Sequence, residues 1–389
     1  MLLIALSAIV FMALARGLPL GLGRLPPGFR VCAVAWIALC VASVAWSDDR
    51  AYTASELQRE VLYGAFAFVV LFVGTRSMRD ARIATYAVLC GTLLLGTFEW
   101  IRHFMPWLPY ATKYEAAQGP FSTHIALAAP LLALLAWPAP GGFAAGPKTL
   151  AAFALGIVVA GLATENRMLW LALAAGCIVA FAVFQAGAAP DAQRARMLRI
   201  LLGTLALIAI AVAASWEYKA ARYYPGASTA VESISMDDRP RIWAMAKTIV
   251  AERPWTGHGF GREIAGDRIE RSVPTTTNVH LRHAHNVFLD MAIQLGGIGT
   301  LVFMALLAAL AHLYARTRHV PAGGGFAVAG LALIATFVVK NLTDDFFYRP
   351  NSLTFWALNG LLLALAVRVG RGETPLRDAQ ASIDTPESQ

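Results

Sequence analysis

The sequence predicts an all-α integral membrane protein, a polytopic bundle of about eleven transmembrane helices with one large loop outside the membrane. Of its 389 residues, 58% are hydrophobic and 14% are charged, whereas a soluble domain carries about 25% charged residues. The apolar residues form long blocks that approach the roughly 20 residues needed to cross a bilayer core. Backbone polar groups must pair internally in lipid, so we interpret these blocks as helices. The period-two alternation of a membrane β-barrel is absent.

The apolar blocks and the basic connections between them define a topology. Arginine-rich connections at 76–82, 194–199 and 316–318 are predicted to be cytoplasmic by the positive-inside rule. The long segment 216–284 then lies on the opposite side, and the polar tail from 372 to 389 is predicted to be cytoplasmic and disordered. The predicted spans are roughly 1–16, 31–47, 61–75, 83–102, 121–138, 149–164, 168–187, 200–215, 285–315, 324–340 and 352–367.

This topology divides the chain into four parts: 1–215 and 285–370 with the transmembrane helices, the loop region 216–284, and the tail 371–389. The loop is much longer than the roughly 15 residues at which a connection usually has structure or function of its own. Within it, apolar residues at helical spacing predict an amphipathic helix over 241–252, lying on the membrane or on the bundle.

Composition also excludes several classes of function. The net charge of +8 is explained by basic cytoplasmic loops, so no nucleic-acid partner is predicted, and the surroundings are membrane lipids. All four cysteines lie in apolar spans without CxxC or Cys/His spacing, which predicts neither a disulfide nor zinc. No phosphate-binding GxxxxGK[ST] loop and no evident carboxylate cage occur. We therefore predict no metal and no cofactor.

His285-Asn286 stands at the start of a long apolar span and is the first candidate site. A neutral imidazole, with an ordinary pKa near 6.5, can accept a proton from a hydroxyl. Gly296 and Gly299 lie deeper on one side of the same span, where small residues permit close helix packing. The alternatives are a histidine that only caps its helix, or a functional role for the neighbouring His280 or His283.

The second candidate site consists of arginines at the predicted outer ends of spans. Arg167, Arg239 and Arg241 carry guanidinium groups that bind phosphate oxygens in pairs. For Arg167 the alternative is contact with lipid phosphates. Asp344-Asp345, with basic residues nearby, could orient one of these arginines, bind a sugar hydroxyl, or form only a local salt-bridge group.

Taken together, these motifs resemble the O-antigen ligase family of the Wzy-type membrane glycosyltransferases. Each motif is weak alone, but their order and spacing hold over the second half of the chain. The matching segments are Thr164-Glu165-Asn166-Arg167, Arg239-Pro240-Arg241-Ile242-Trp243, Pro254-Trp255-Thr256-Gly257-His258-Gly259-Phe260-Gly261, and His285-Asn286 followed by Gly296 and Gly299.

The resemblance implies a GT-C-like fold of twelve helices in the bacterial inner membrane. It also implies transfer of a glycan from undecaprenyl diphosphate to a lipid A-core sugar on the periplasmic face. His285 would then be the catalytic residue, with Arg167 and either Arg239 or Arg241 as the diphosphate clamp. Asn286 would hold the imidazole or cap the helix. The chain departs from the family in showing about eleven spans, and in embedding His285 in Arg282-His283-Ala284-His285. The chemistry we expect is inverting and metal-independent.

Other functions are also compatible with parts of this pattern. An O-antigen polymerase would use the same lipid-linked donor to extend a lipid-linked chain, and a protein O-oligosaccharyltransferase would carry an extra C-terminal domain. A solute transporter would belong to a different class, marked by two related halves and by broken helices near the midplane. Here the spans look continuous and the polar residues gather at one end, which favours an enzyme at the membrane interface.

Overall fold

The computed structural model describes residues 21–105, 118–137, 145–186, 191–223, 238–272, 282–318 and 323–370, and within these ranges it contains helices and no strand. A π-helical turn, Leu57–Leu62, joins two of the helices. The helices are α1 (Pro27–Ala42), α2 (Arg50–Glu56), α3 (Tyr63–Gly74), α4 (Met78–Phe104), α5 (Gln118–Ala128), α6 (Leu131–Ala136), α7 (Pro147–Leu162), α8 (Arg167–Gln185), α9 (Asp191–Tyr223), α10 (Arg239–Glu252), α11 (Gly266–Ser272), α12 (Val287–Thr317), α13 (Gly324–Lys340) and α14 (Pro350–Gly370).

Eight segments of the described chain are long and apolar enough to cross a membrane, and α7 and α13 are shorter apolar helices. These ten coincide with the predicted spans from 31–47 onward, which confirms the polytopic all-α class. The predicted span 1–16 and the tail 371–389 lie outside the described residues. Helix α9 runs on to Tyr223, past the predicted boundary at 215.

The hydrophobic core lies around the last three long helices. Helix α14 packs against α3, α13 against α8, and α12 against α1. The span in α14 is 72% buried inside the protein, compared with 22% for the span that begins at Pro27. The aromatic rings of Phe303, Phe337 and Phe355 pack against one another in edge-to-face and tilted contacts at the centre of this core. The C-terminal helices therefore form a packed core that positions the polar residues at one end of the bundle.

The predicted amphipathic helix is confirmed as α10. Pro240 occupies its first turn, where a missing N–H costs nothing and the fixed φ suits a helix. Ile242, Ala246 and Ile249 are buried, and this face packs against α11 and α12. The helix therefore lies on the bundle, which was one of the two placements that its pattern allowed.

The prediction of a continuous span over 285–315 is wrong at one residue. Helix α12 is broken at Gly296, whose φ of 66° and ψ of −165° are non-helical. The loop that follows α10 inserts at this break. The N–H of Gly297 donates to the carbonyl of Pro254 (2.7 Å), and the N–H of Gly259 donates to the carbonyl of Gln294 (2.9 Å). Hydrogen bonds from the loop thus replace those lost within the helix, as a broken apolar helix requires.

Gly257 and Gly296 serve this insertion rather than helix–helix packing. A Cβ on Gly296 would lie 2.3 Å from the backbone carbon of Trp255, and one on Gly257 would lie 2.5 Å from the backbone of Gln294. Both residues have φ of +66°, which glycine adopts without steric cost. The glycine-containing loop 254–261 and the glycines of α12 thus contact each other at one place. Continuity of the spans consequently gives no argument against a transporter.

Candidate functional site

Asp344 is the centre of a buried charge cluster at one end of the bundle. Its Oδ1 accepts a hydrogen bond from Nη2 of Arg239 (2.8 Å), and its Oδ2 accepts from Nζ of Lys340 (2.8 Å) and Nδ2 of Asn166 (2.8 Å). Burial by itself raises the pKa of Asp344, but the charges of Lys340 and Arg239 together bring it below the ordinary value. The carboxylate is therefore ionised, and the cluster holds two cations for one anion.

The two candidate arginines of α10, Arg239 and Arg241, have different surroundings. Arg239 is anchored: its Nε donates to the carbonyl of Thr343 (2.7 Å) in addition to the contact with Asp344. The side chain of Arg241 is 76% exposed, and its nearest described acid is Asp238 at 3.8 Å. The Asp344 cluster thus orients a basic residue, which was one of the roles open to it, and that residue is Arg239.

Arg167 is brought to the same end of the bundle by its neighbour. Asn166 caps helix α8, since its side chain accepts the N–H of Leu169 (3.3 Å), while its Nδ2 binds Asp344. Arg167 is the first residue of that helix and is half-buried. A helix N-terminus presents backbone donors to anions, so the cluster places such an end beside Arg239.

His285 has an unusual backbone and a buried ring. Its φ is +52°, a conformation that is uncommon for residues other than glycine. The rings of His285 and His283 lie 3.9 Å apart. Neither ring nitrogen of His285 has a hydrogen-bond partner in the described structure, although both are buried. Burial, reinforced by the neighbouring His283, lowers the pKa of His285 well below its ordinary value. The ring is therefore neutral and retains a lone pair for a proton.

The ring of His283 is already engaged. Its Nδ1 accepts the backbone N–H of His285 (3.1 Å), and its Nε2 lies 3.4 Å from Nη1 of Arg262. A neutral imidazole accepts at one nitrogen only, and the positive charge of the adjacent guanidinium disfavours a second proton on this ring. Burial and the charge of Arg262 lower the pKa of His283 accordingly. By accepting the backbone N–H of His285, the ring of His283 stabilises the backbone conformation of His285. His280 lies outside the described residues.

Asn286 caps helix α12 and does not hold the imidazole. Its Oδ1 accepts the N–H groups of Phe288 (3.0 Å) and Leu289 (3.1 Å), and its Nδ2 donates to the carbonyl of Leu342 (2.8 Å). Of the two roles considered for this residue, the structure shows the cap. The cap also ties the start of α12 to the segment that carries Asp344, so His285 is held beside the charge cluster.

Arg262 is a site residue that sequence reasoning missed. Its side chain is 11% exposed, its guanidinium lies 3.6 Å from the ring centre of Tyr348, and its Nη1 donates to the carbonyl of Asp345 (2.6 Å). The signal in the sequence was its position directly after Gly261, the last glycine of the loop that inserts at α12. Its Nη2 also pairs with Oε1 of Glu263 at 3.3 Å, so the buried guanidinium has a counter-ion as well as its contact with His283.

Three buried groups could together hold a metal ion, a possibility that the sequence did not indicate. Single ligand atoms of His283, Asp290 and Asp345 lie within 4.8 Å of one another. Burial and the nearby Asp290 carboxyl raise the pKa of Asp345 well above its ordinary value, which suits a proton shared by the two carboxyls. Because the cationic Arg262 lies beside His283, this arrangement fits a shared proton better than a cation.

These features define a polytopic all-α membrane protein with cations, a carboxylate and a neutral imidazole at one end of its bundle. Residues 150–304 match the family model described as O-Antigen ligase (Wzy_C), and these residues contain all the motif segments. The chain is 25% identical over 341 residues to an O-antigen ligase of Pseudomonas aeruginosa, a match that covers 85% of this chain and 75% of the relative. Both findings support the resemblance to the O-antigen ligase family that the motifs indicate.

Proposed function

We propose that this protein transfers a glycan from undecaprenyl diphosphate to a sugar of the lipid A core, on the periplasmic face of the bacterial inner membrane. The match to the family model supports a glycosyl-transferring enzyme, and the similar Pseudomonas protein bears the name O-antigen ligase. The observation that carries the proposal is the position of His285. Its neutral, buried ring is held beside a cation cluster that suits a departing diphosphate.

In the proposed step, the acceptor hydroxyl attacks the anomeric carbon of the lipid-linked sugar. The bond from that carbon to the diphosphate oxygen breaks, the electron pair leaves with the diphosphate, and the carbon is inverted. His285 accepts the hydroxyl proton through one of its ring nitrogens. Negative charge on the leaving diphosphate is stabilised by Arg239 and Arg167, which are preorganised at the same end of the bundle.

The Asp344 cluster supplies this preorganisation. One carboxylate holds both Arg239 and Lys340, so the cluster keeps a net positive charge before Arg167 is counted. Fixed cations in a site with little water stabilise developing charge without a cost of reorganisation. We therefore propose metal-independent transfer, with Arg239 in preference to Arg241 as the partner of Arg167 in the diphosphate clamp.

Reconstitution tests the proposal directly. Purified protein in proteoliposomes receives undecaprenyl-diphosphate glycan and lipid A-core, with and without excess EDTA, and the products are separated on a gel. We expect glycan-bearing lipid A-core in both cases, and loss of product with Arg167→Ala in folded protein. Longer glycans on the polyprenyl lipid would indicate a polymerase instead. Loss of product in EDTA would overturn metal independence, and solute flux without any glycan transfer would indicate a transporter.

A further inference from the structure

The turn that carries His285 is held through its backbone. The carbonyl of Ala284 accepts a hydrogen bond from Nε1 of Trp243 (2.9 Å), and the N–H of Ala284 donates to Oδ1 of Asp290 (2.8 Å). The N–H of His285 donates to Nδ1 of His283 (3.1 Å). The peptide group that joins residues 284 and 285 is therefore hydrogen-bonded through both its carbonyl and its N–H, and the peptide group before it through its N–H.

The ring of His285 has no comparable anchor. A histidine that acts as a general base is commonly oriented by a hydrogen bond on its other ring nitrogen. Here both ring nitrogens are buried, and neither has a hydrogen-bond partner in the described chain. The φ of His285 is +52°, and such a conformation persists only where the surrounding structure imposes it. The position of this ring is therefore set by packing and by the hydrogen bonds of the turn.

Trp243 and Asp290 are themselves held in place. Asp290 lies in the first turn of α12 and is 1% exposed, and its backbone N–H donates to the carbonyl of Asn286 (2.8 Å). Trp243 packs against the buried apolar residues of α10, α11 and α12. Ala284 is fully buried, so removing either partner would leave one of its backbone groups without a hydrogen bond and without water, which is costly.

Trp243 also connects this turn to the charge cluster. It stands four residues after Arg239 in α10, which is about one helical turn. Arg239 is fixed by its bonds to the carboxylate of Asp344 (2.8 Å) and to the carbonyl of Thr343 (2.7 Å). One helix therefore carries both the proposed diphosphate ligand and the indole N–H that binds Ala284, and the turn is held at a set distance from the guanidinium.

We propose that Trp243 and Asp290 are positioning residues for glycan transfer, which hold the peptide groups of Ala284 and so place the ring of His285 relative to Arg239. This inference rests on the proposed function. Neither side chain takes or gives a proton in the reaction, because Asp290 acts as a hydrogen-bond acceptor and Trp243 as a donor. Displacing a reacting group by about 1 Å can cost about 10²-fold in rate, so loss of either bond should slow transfer without weakening donor binding.

Removing one indole N–H tests the contribution of Trp243. Trp243→Phe keeps an aromatic ring against the apolar residues but removes the donor to Ala284. We expect kcat to fall about tenfold, as the loss of one hydrogen bond to a buried carbonyl implies. The KM for the lipid-linked donor should stay the same, because Arg239 keeps its bond to Asp344.

Trp100→Phe is the matched control. Trp100 is also half-buried, and its Nε1 donates to the carbonyl of Val159 (2.9 Å), which joins α4 to α7. This variant removes the same kind of hydrogen bond but leaves the turn of His285 untouched, so kcat and KM should match the wild type. An equal fall of kcat in the Trp100 and Trp243 variants would show that transfer responds to lost stability alone, and would overturn the inference.

The pH profile separates positioning from stability. In Trp243→Phe the turn is looser, so water reaches the ring of His285 and its lowered pKa rises toward the ordinary value. The groups that face this ring are the same in both proteins, namely His283, Asp344, Arg239 and Arg262. We expect the acid limb of kcat/KM to move to higher pH, because the ring then gains its proton at a higher pH. A lower kcat with an unmoved acid limb would give Trp243 a structural role only.

Two replacements test Asp290. Asp290→Asn keeps an oxygen that accepts the N–H of Ala284, and its amide N–H can donate to Asp345, where the two carboxyls share a proton. Asp290→Leu has a similar volume but no acceptor. We expect kcat close to that of the wild type for the first variant and a loss of about tenfold for the second. An equal loss in both variants would mean that the carboxyl takes part as an acid or a base, and would refute the positioning role.

Hydrogen–deuterium exchange reports on the turn without catalysis. In the purified proteins, the amides of the peptide 283–290 should exchange faster in Trp243→Phe and Asp290→Leu than in the wild type, Asp290→Asn or Trp100→Phe. Unchanged exchange in the first two variants would overturn the inference, whether or not transfer occurs. The expected exchange pattern in a protein that never transfers glycan would refute the proposed function and leave the two residues assigned to the turn.

Discussion

Asn166 donates a hydrogen bond from Nδ2 to Oδ2 of Asp344 at 2.8 Å, across 178 residues of sequence. This contact joins the N-terminus of α8, where Arg167 stands, to the segment between α13 and α14. Because Asp344 also binds Arg239, one carboxylate brings together basic residues from distant stretches of the chain. The negative charge of Asp344 therefore holds the parts of the site together.

Replacing Asp344 should destabilise the protein strongly. The Lys340 side chain is fully buried and that of Asp344 is 4% exposed, so Asp344→Asn leaves a buried ammonium group without its anion. Breaking a buried ion pair in this way costs about 3–5 kcal/mol. We expect a clearly lower melting temperature in detergent micelles. Asp238→Asn, which removes the partner of the exposed Arg241, serves as the control and should change it little. An unchanged melting temperature for Asp344→Asn would show that the cluster is not buried as described.

The two arginines of α10 should differ in their effect on catalysis. Arg239→Ala removes a cation anchored beside His285, and losing one such transition-state contact costs about 10²–10³ in rate. Arg241→Ala removes a side chain that is 76% exposed and should leave the rate close to that of the wild type. The measurement is kcat for transfer in proteoliposomes, with the melting temperature as a check on folding. Activity that survives in the Arg239 variant and fails in the Arg241 variant would assign the clamp to Arg241.

The roles of the two adjacent histidines, His283 and His285, should also be separable. His285→Asn removes the imidazole but keeps a residue that tolerates positive φ, and loss of a general base costs about 10²–10⁴ in rate. His283→Asn removes a ring that supports the backbone of His285, and we expect a smaller loss of rate. Both variants are assayed for transfer and for melting temperature. A larger loss in the His283 variant, with its fold intact, would make His283 the base.

The pH dependence of transfer follows from the lowered pKa of His285. Burial favours the neutral ring, so the base remains unprotonated at pH values where a free imidazole, with a pKa of about 6.5, is already half charged. Activity is lost only as pH falls through the lowered pKa, when the ring gains a proton. We expect the acid limb of kcat/KM to have its midpoint below 6.5. A midpoint above that value would contradict burial as the dominant influence on this ring.

The sequence predicted most of the helices because hydrophobic block length is a local signal. It also identified α10, because Ile242, Ala246 and Ile249 recur at helical spacing. It could not identify Arg262, whose importance depends on the distant Tyr348 and Asp345, or the proximity of Asp290 to Asp345. It left both Arg239 and Arg241 open, and the position of Asp344 distinguishes them. The site is formed by contacts between residues far apart in the chain, and such contacts leave no periodic pattern in the sequence.

The break in α12 leads to a prediction that uses two adjacent glycines. Gly296 has φ of 66° and ψ of −165°, a region that costs other residues about 1–3 kcal/mol, and a Cβ there would lie 2.3 Å from the backbone of Trp255. At Gly297 the nearest atom to an added Cβ is 3.4 Å away, an ordinary contact.

Gly296→Ala should therefore expel the loop 254–257 from the break, lower the melting temperature and reduce transfer, since Arg262 follows that loop. Gly297→Ala should match the wild type in both measurements. The clash at Gly296 is with backbone, so no flexible side chain can move aside to relieve it. If the two variants nevertheless melt alike and transfer alike, the position of the loop does not depend on the break.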